Sequence, residues 1–492
     1  MKRFLCLGAV LFLSVVWAGC GDVFRPIIIP NPPQFPNPAA AHTVVTLSDN
    51  GDAVDGTAMV IDVSGDTEVS IKSVGLNPVH AVQQTATQVL VVNQSNATSP
   101  QDSVTKLSFS GTLIGSTSTI TLPLSYSSPG VLTTAAPNFA ATTESNQAYV
   151  LMPQYQPNPG QVVPSVAVIN TLTNAIVTTI PVGNGPVAMA ETPDGTKLYV
   201  ANQGDRTISA FNTKDRSTRQ ICINGTCPTG STPLPLSSPP IWISARSDSQ
   251  RVYVLELDGT LAYIDTSTTA GPDQLSDNYT PLVQAAGAAY MWYDVILNRL
   301  YIPAGNELAI VDVSQSVPQD QSFPGAIFAT IPVVPSSQRF TTDPCSGTTV
   351  PATVPVVAAT SLPDGSRAYI GAFYSATDTS GTGVVCPQVT VIDTSNNTIK
   401  TATAVPGFPD ATAPGQYNVP VCASTRFRFN MAVGGDSSRA YLASCDGGNV
   451  NIIYTSTDTY AETAFAPGST RSPIPPSTQN PPQNPVFMLA GP

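Results

Sequence analysis

The residues that usually do chemistry are few in this chain and oddly placed. It has two histidines, His42 and His80, in 492 residues. Nucleophilic hydrolysis needs an activated Ser or Cys beside a His, with a third group to orient the base. His42 stands where a Pro-rich segment ends, and His80 lies inside the apolar phrase Pro78-Val79-His80-Ala81, the setting of a core imidazole. No Gly-x-Ser-x-Gly elbow, Cys-x-x-Cys-His haem attachment or phosphate-cradling glycine motif occurs, so no cofactor and no catalytic residue is expected. Asp49, Asp52, Asp55, Asp62 and Glu68 make an acidic stretch of the kind that supplies oxygen ligands to calcium. Gly51 and Ala53 fall where an EF-hand loop needs its second and third ligands, so a solvated loop is the simpler expectation and no metal is assigned.

The cysteines divide by address. Met1-Lys2-Arg3 followed by the apolar run from Phe4 to Trp17 is a positive region and a hydrophobic core, too short to span a membrane, and reads as a secretory signal over residues 1–19. The run ends Val16-Trp17-Ala18-Gly19-Cys20-Gly21, which resembles the bacterial lipobox, with Trp17 where an aliphatic residue is usual. That resemblance implies lipidation of Cys20, with an ordinary signal peptide and an odd thiol as the alternative. It also implies a cell-envelope lipoprotein, held by its acyl chains alone, with the outer membrane favoured. Residues 20–42 carry Pro26, Pro30, Pro32, Pro33, Pro36 and Pro38 and read as an extended tether to a body spanning 43–492. Six cysteines remain in that body: Cys222, Cys227, Cys345, Cys386, Cys422 and Cys445. An even number in an exported chain predicts disulfides. Connectivity does not follow from the count, but nearness in sequence suggests Cys222 with Cys227, Cys345 with Cys386 and Cys422 with Cys445. With no Cys-x-x-Cys and two histidines, zinc is the weaker reading.

Three short phrases recur along the body. One is an apolar strand ending in Asp or Asn, as in Val60-Ile61-Asp62, Val168-Ile169-Asn170, Tyr263-Ile264-Asp265, Ile310-Val311-Asp312 and Val391-Ile392-Asp393, with degenerate copies at Lys106-Leu107-Ser108 and Ile452-Ile453-Tyr454. A second is a small-residue strand, usually after Pro, as in Pro186-Val187-Ala188-Met189 and Pro485-Val486-Phe487-Met488. The third is a Tyr-Val strand such as Leu198-Tyr199-Val200-Ala201 or Ala440-Tyr441-Leu442-Ala443. Periodicity of this kind marks a β-propeller. Leu198-Tyr199-Val200-Ala201-Asn202 resembles the eponymous strand of the YVTN family of propeller repeats, for which seven blades is the familiar number. Asp-Gly in Pro193-Asp194-Gly195 and Pro363-Asp364-Gly365 places hairpin turns between the second and third phrases.

The first two phrases appear eight times and the third seven, and Thr43-Val44-Val45-Thr46-Leu47 supplies the missing copy at the front. The register therefore predicts an all-β ring of eight blades, closed by pairing residues 43–50 into a blade otherwise built from 449–492. Seven blades follow instead if the weak copy from Ser103 to Gln154 is an elaboration. Asp62, Asn170, Asp265 and Asp393 recur once per blade, which favours turn-capping over a ring of ligands. The longest interval, from Asp312 to Asp393, places an insertion at residues 335–353. Residues 407–416 form a second insertion between strands, and insertions of this sort commonly carry binding; the Pro-rich, polar residues 468–485 are another loop or a disordered flap.

The formal charge is −12, more negative once Lys2 and Arg3 leave, which excludes nucleic acid and anionic lipid as natural partners. These features predict a monomeric, non-enzymatic envelope lipoprotein whose propeller binds a protein or polysaccharide. The alternative is a lactonase-like or metal-dependent propeller hydrolase, whose funnel of His, Arg and acids this His-poor chain hardly supplies.

Overall fold

A computed structural model describes residues 42–491 apart from 52, 144–145, 231, 269–270, 278–289, 306, 315–325, 333–344, 348–353, 355, 406–407, 410–421, 423–424, 426–427 and 461–483. The expected signal peptide, Cys20, the tether up to residue 41 and most of the three expected loops lie outside the described residues. Eight sheets of four or more strands form an eight-bladed β-propeller. Each blade is an antiparallel meander whose innermost strand is the second phrase, followed outward by the third phrase, the first phrase and a polar outer strand. In blade 4 these are Pro186–Glu191, Lys197–Asn202, Thr207–Asn212 and Thr218–Arg219.

The apolar runs arise because middle strands are covered on both faces. In Arg251–Glu256 of blade 5, Val252 and Val254 pack toward blade 4, while Tyr253 and Leu255 pack toward blade 6. Side chains alternate along a strand, so every residue of such a run is apolar or paired. Tyr149, Tyr199, Tyr253, Tyr301, Tyr369 and Tyr441, the tyrosines of the third phrase, are among the largest fully buried side chains.

The ring closes where the sequence places it, with one correction. Thr43–Asp49 pairs antiparallel with Asn484–Ala490, Val45 opposite Leu489 and Leu47 opposite Phe487. The rest of that blade, however, is Thr57–Asp62 and Thr67–Ser73, so blade 1 takes three strands from the front of the chain and one from the back. Asn449–Tyr454 and Thr459–Tyr460, expected in the closing blade, complete blade 8 with Phe429–Val433 and Arg439–Ser444. The first-phrase strand is the third of its blade, not the first, and that shifts the assignment by one sheet. Ser103–Ser110 and Leu113–Thr121 are true outer strands of blade 2, followed by a small separate hairpin, Ser125–Ser128 with Val131–Thr133. The long interval before Asp393 is explained in part by an extended hairpin of blade 7, Arg367–Thr377 with Gly383–Asp393.

Adjacent blades are latched by ion pairs in which the carboxylate is buried. Asp66, in the outer turn of blade 1 at φ 51°, accepts from Arg439 Nε (3.0 Å) and Tyr441 OH (2.9 Å) of blade 8. Asp458 of blade 8 likewise accepts from Tyr369 OH (2.6 Å) and Lys400 Nζ (2.6 Å) of blade 7. The per-blade Asx residues cap turns as expected: Asp62 Oδ1 accepts from Ser64 N and Oγ (2.8 and 2.7 Å), and Asp393 Oδ1 from Ser395 N and Oγ (2.9 and 2.6 Å).

Candidate functional site: a cleft between blades 4 and 5

One blade gives up its outer strand. Thr67–Ser73, Ala175–Pro181, Ala326–Pro332 and Thr398–Ala404 each run seven residues, whereas the outer strand of blade 4, Thr218–Arg219, has two, as does the described part of blade 8's, Thr459–Tyr460, which is followed by residues outside the described set. Past Arg219 the chain crosses over, and Ile221–Ile223 lies parallel along the outer strand of blade 5, Ile221 opposite Asp273 and Ile223 opposite Leu275. The Cys222–Cys227 disulfide closes a small loop there, and Leu236 N–H later returns to donate to Arg206 O (2.7 Å). Between strand and loop a cavity of about 550 Å³ is left, within the usual range for small-ligand sites. Its walls combine Thr207, Ser209 and Arg219 with Ile208, Ile221, Leu234 and Leu275.

Buried charge holds the walls. Asp273, fully buried, accepts from Lys197 Nζ (3.0 Å), from Arg219 Nε and Nη2 (2.9 and 2.8 Å) and from Tyr199 OH (2.7 Å). Its hydrogen bonds raise the Arg219 pKa further, and burial with the adjacent carboxylate raises that of Tyr199. The crossing loop is tied from beneath by two more carboxylates. Asp277 accepts from Asn224 Nδ2 and from Ser237 N (3.0 Å). Glu256 Oε2 accepts from Ser237 Oγ (3.0 Å) and Ser238 N (2.7 Å), and burial pushes its pKa up to about 7.

The residues singled out in the sequence sit elsewhere. His80 is on the inner strand of blade 2 and accepts from Ala140 N–H through Nδ1 (3.2 Å), stacked on Phe139 at 4.2 Å and tilted against Phe487 at 4.7 Å. Phe139 meets Trp242, and Trp242 meets Tyr290, so aromatic rings link inner strands of blades 1, 2, 3 and 5 to the approach of blade 6. A second, largely apolar cavity of about 220 Å³ lies among the inner strands, lined by Ala81, Trp292, Met431 and Phe487. His42 is exposed at the start of the described residues. Of the acidic stretch, Asp49 accepts from Gly51 N (2.8 Å), Asp62 caps its turn, Glu68 is on the outer strand of blade 1 and Asp52 lies outside the described residues. Among the described residues no three His, Cys, Asp or Glu come together as a metal-holding group, and no helix is long and apolar enough to cross a membrane. The other disulfides join Cys345 to Cys386, tying the long interval to the blade 7 hairpin, and Cys422 to Cys445.

Neither histidine lines the cleft, and Asp205, which does, is engaged by Thr207 Oγ1 (2.7 Å) and Asn184 N (2.9 Å). The arrangement is suited to holding a ligand. Sequence reasoning missed Arg219, Asp273 and Glu256. A signal for the latch was present, since Lys197, Arg251, Arg299, Arg367 and Arg439 all precede a third-phrase Tyr by two positions.

No protein-family model matches the chain, and no curated protein does. It is similar to solved propeller structures: AztD from Citrobacter koseri at 11% identity and TM-score 0.52, and apo AztD from the same organism at 10% and 0.51, each covering 91% of this chain and 97% of that one. A Bacteroides uniformis protein provisionally assigned as a 6-phosphogluconolactonase aligns at 13% identity and TM-score 0.44, over 74% of this chain and 96% of that one. At such identities these likenesses speak to the fold alone.

Proposed function

We propose that the chain is an exported, lipid-anchored propeller that acts by binding. Residues 1–19 are its signal, Cys20 its acylated anchor, residues 20–42 its tether, and the propeller from 43 onward presents the cleft between blades 4 and 5 to an envelope protein or polysaccharide. The family it most resembles by repeat phrase is the YVTN group. The observation that carries this reading is the cleft itself: at one blade boundary the regular meander is abandoned, and a disulfide, Asp277 and Glu256 hold the result open. The three disulfides support export, because such bridges persist in oxidising compartments.

Two measurements test the reading. Labelled palmitate should enter the full-length protein and not its Cys20→Ala variant, with the wild type alone partitioning to membranes. Lactones incubated with purified protein, with and without chelator, should remain intact; turnover lost in His80→Ala would replace the binding reading with hydrolysis.

A further inference from the structure

The cleft exposes an interrupted β-ladder, and that interruption specifies a ligand chemistry. In an antiparallel strand the N–H and C=O of alternate residues point to the same side. On the outer side of Thr207–Asn212, Asn212 N donates to Ser217 O (2.9 Å), Ala210 is opposite Arg219, and Arg206 O accepts from Leu236 N (2.7 Å). Ile208 faces that same side. The register would place Ile221 opposite it, but Ile221 has left to pair with Asp273 of blade 5. Ile208 therefore turns one donor and one acceptor into the cavity and meets no ladder partner among the described residues. In blade 3 the equivalent residue, Val166, is opposite Ile180 of a full outer strand.

We propose that the cleft binds a short extended peptide, which pairs its backbone with Ile208 and replaces the missing length of the blade 4 outer strand. This rests on the reading of the cleft as a binding site and names its ligand class. A peptide amide offers the donor and acceptor together at the spacing a ladder requires, as in other cases of strand addition. A buried backbone donor or acceptor left unpaired is costly, which favours a ligand that satisfies both. Ile221, Leu234 and Leu275 give the side-chain contacts an aliphatic character. A sugar would also offer hydroxyls, but such ligands favour open aromatic faces, and the aromatic residue of this lining, Phe211, is buried.

The probe is the outer strand of blade 3, acetyl-Ala-Ile-Val-Thr-Thr-Ile-Pro-amide, with a set of heptapeptides varied around it, measured by fluorescence anisotropy against the whole propeller. Thr232, exposed on the rim of the cleft, is changed to Trp to fill it without touching the core. Expected are saturable binding, at least tenfold weakening in Thr232→Trp, similar weakening on N-methylation of the peptide's sixth residue, and slower amide exchange at Ile208. A neutral oligosaccharide panel runs in parallel. Oligosaccharide binding that Thr232→Trp abolishes, with no peptide bound at millimolar concentration, overturns the peptide inference and keeps the cleft as a binding site. If neither class binds, both are overturned. Peptide binding indifferent to Thr232→Trp and to N-methylation overturns the inference as well.

Discussion

Blade 8 meets blade 1 and blade 4 meets blade 5 through the same device, and beside the second a cavity opens. In each, an Asp of the following blade takes a Tyr hydroxyl and a cation from the preceding one: Asp66 with Tyr441 and Arg439, Asp273 with Tyr199, Lys197 and Arg219. The difference lies further out. Blade 8 keeps its outer turn in place and blade 1 a full outer strand, whereas blade 4 sends that length of chain to its neighbour. The latch joins the outer turn or outer strand of one blade to the second strand of the blade before it, so the boundary is held even where blade 4's own outer strand stops at Arg219.

The comparison can be broken most severely at the seam. A chain lacking residues 484–492 leaves blade 1 without its inner strand, and far-ultraviolet circular dichroism should show no cooperative melt, because closure alone removes exposed sheet edges. Next come the latches. Asp273→Ala strands two cations that are almost wholly buried and should cost about 3–5 kcal/mol in urea unfolding. Asp66→Ala leaves a more exposed arginine and takes an acceptor from the Tyr441 and Tyr454 hydroxyls, and should cost about 1–3 kcal/mol. Equal losses at the two would show that the boundary beside the cleft relies on its latch no more than the ring seam does.

Two buried carboxylates of blades 4 and 5 add a pH dependence. Burial pushes Glu191, at the end of the inner strand of blade 4, up to about 8 and Glu256 up to about 7, from an unfolded value of 4.5. The folded chain thus holds protons that the unfolded chain releases, so their contribution to stability is fully present below pH 4.5, is lost as pH rises from there to the folded values of about 7 and 8, and changes no further above them. Glu191→Gln should flatten that fall and raise stability at pH 8 by on the order of 3 kcal/mol, read from melts across pH 5 to 9. The disulfides give losses of similar size. Removing Cys422–Cys445, beside the seam where Asn484 Nδ2 donates to Cys445 O (2.7 Å), should cost about 3 kcal/mol; removing Cys222–Cys227, which closes a shorter loop, about 2 kcal/mol.

Much of the ring is legible in the residues because its middle strands are buried on two faces, and burial writes long apolar phrases such as Lys197–Asn202. The closing strand Thr43–Asp49 is recognisable for the same reason. Nearness in sequence also matches the three bridges, since each joins segments of one blade or of its flanking loop. Outer strands leave a fainter trace: Ala175–Pro181 has one fully buried position, so its pattern hardly differs from a polar loop. A blade lacking its outer strand accordingly looks like any other in the sequence, and the cleft went unseen. The latch was hidden differently, because Tyr199 and Asp273 stand far apart along the chain and only the stacking of blades brings them together.

Blade 1 cannot be finished until the last strand arrives. Thr43–Asp49 is translated long before the partner on its inner side, Asn484–Ala490. Until that partner is made, blade 1 keeps an unpaired edge open to other chains.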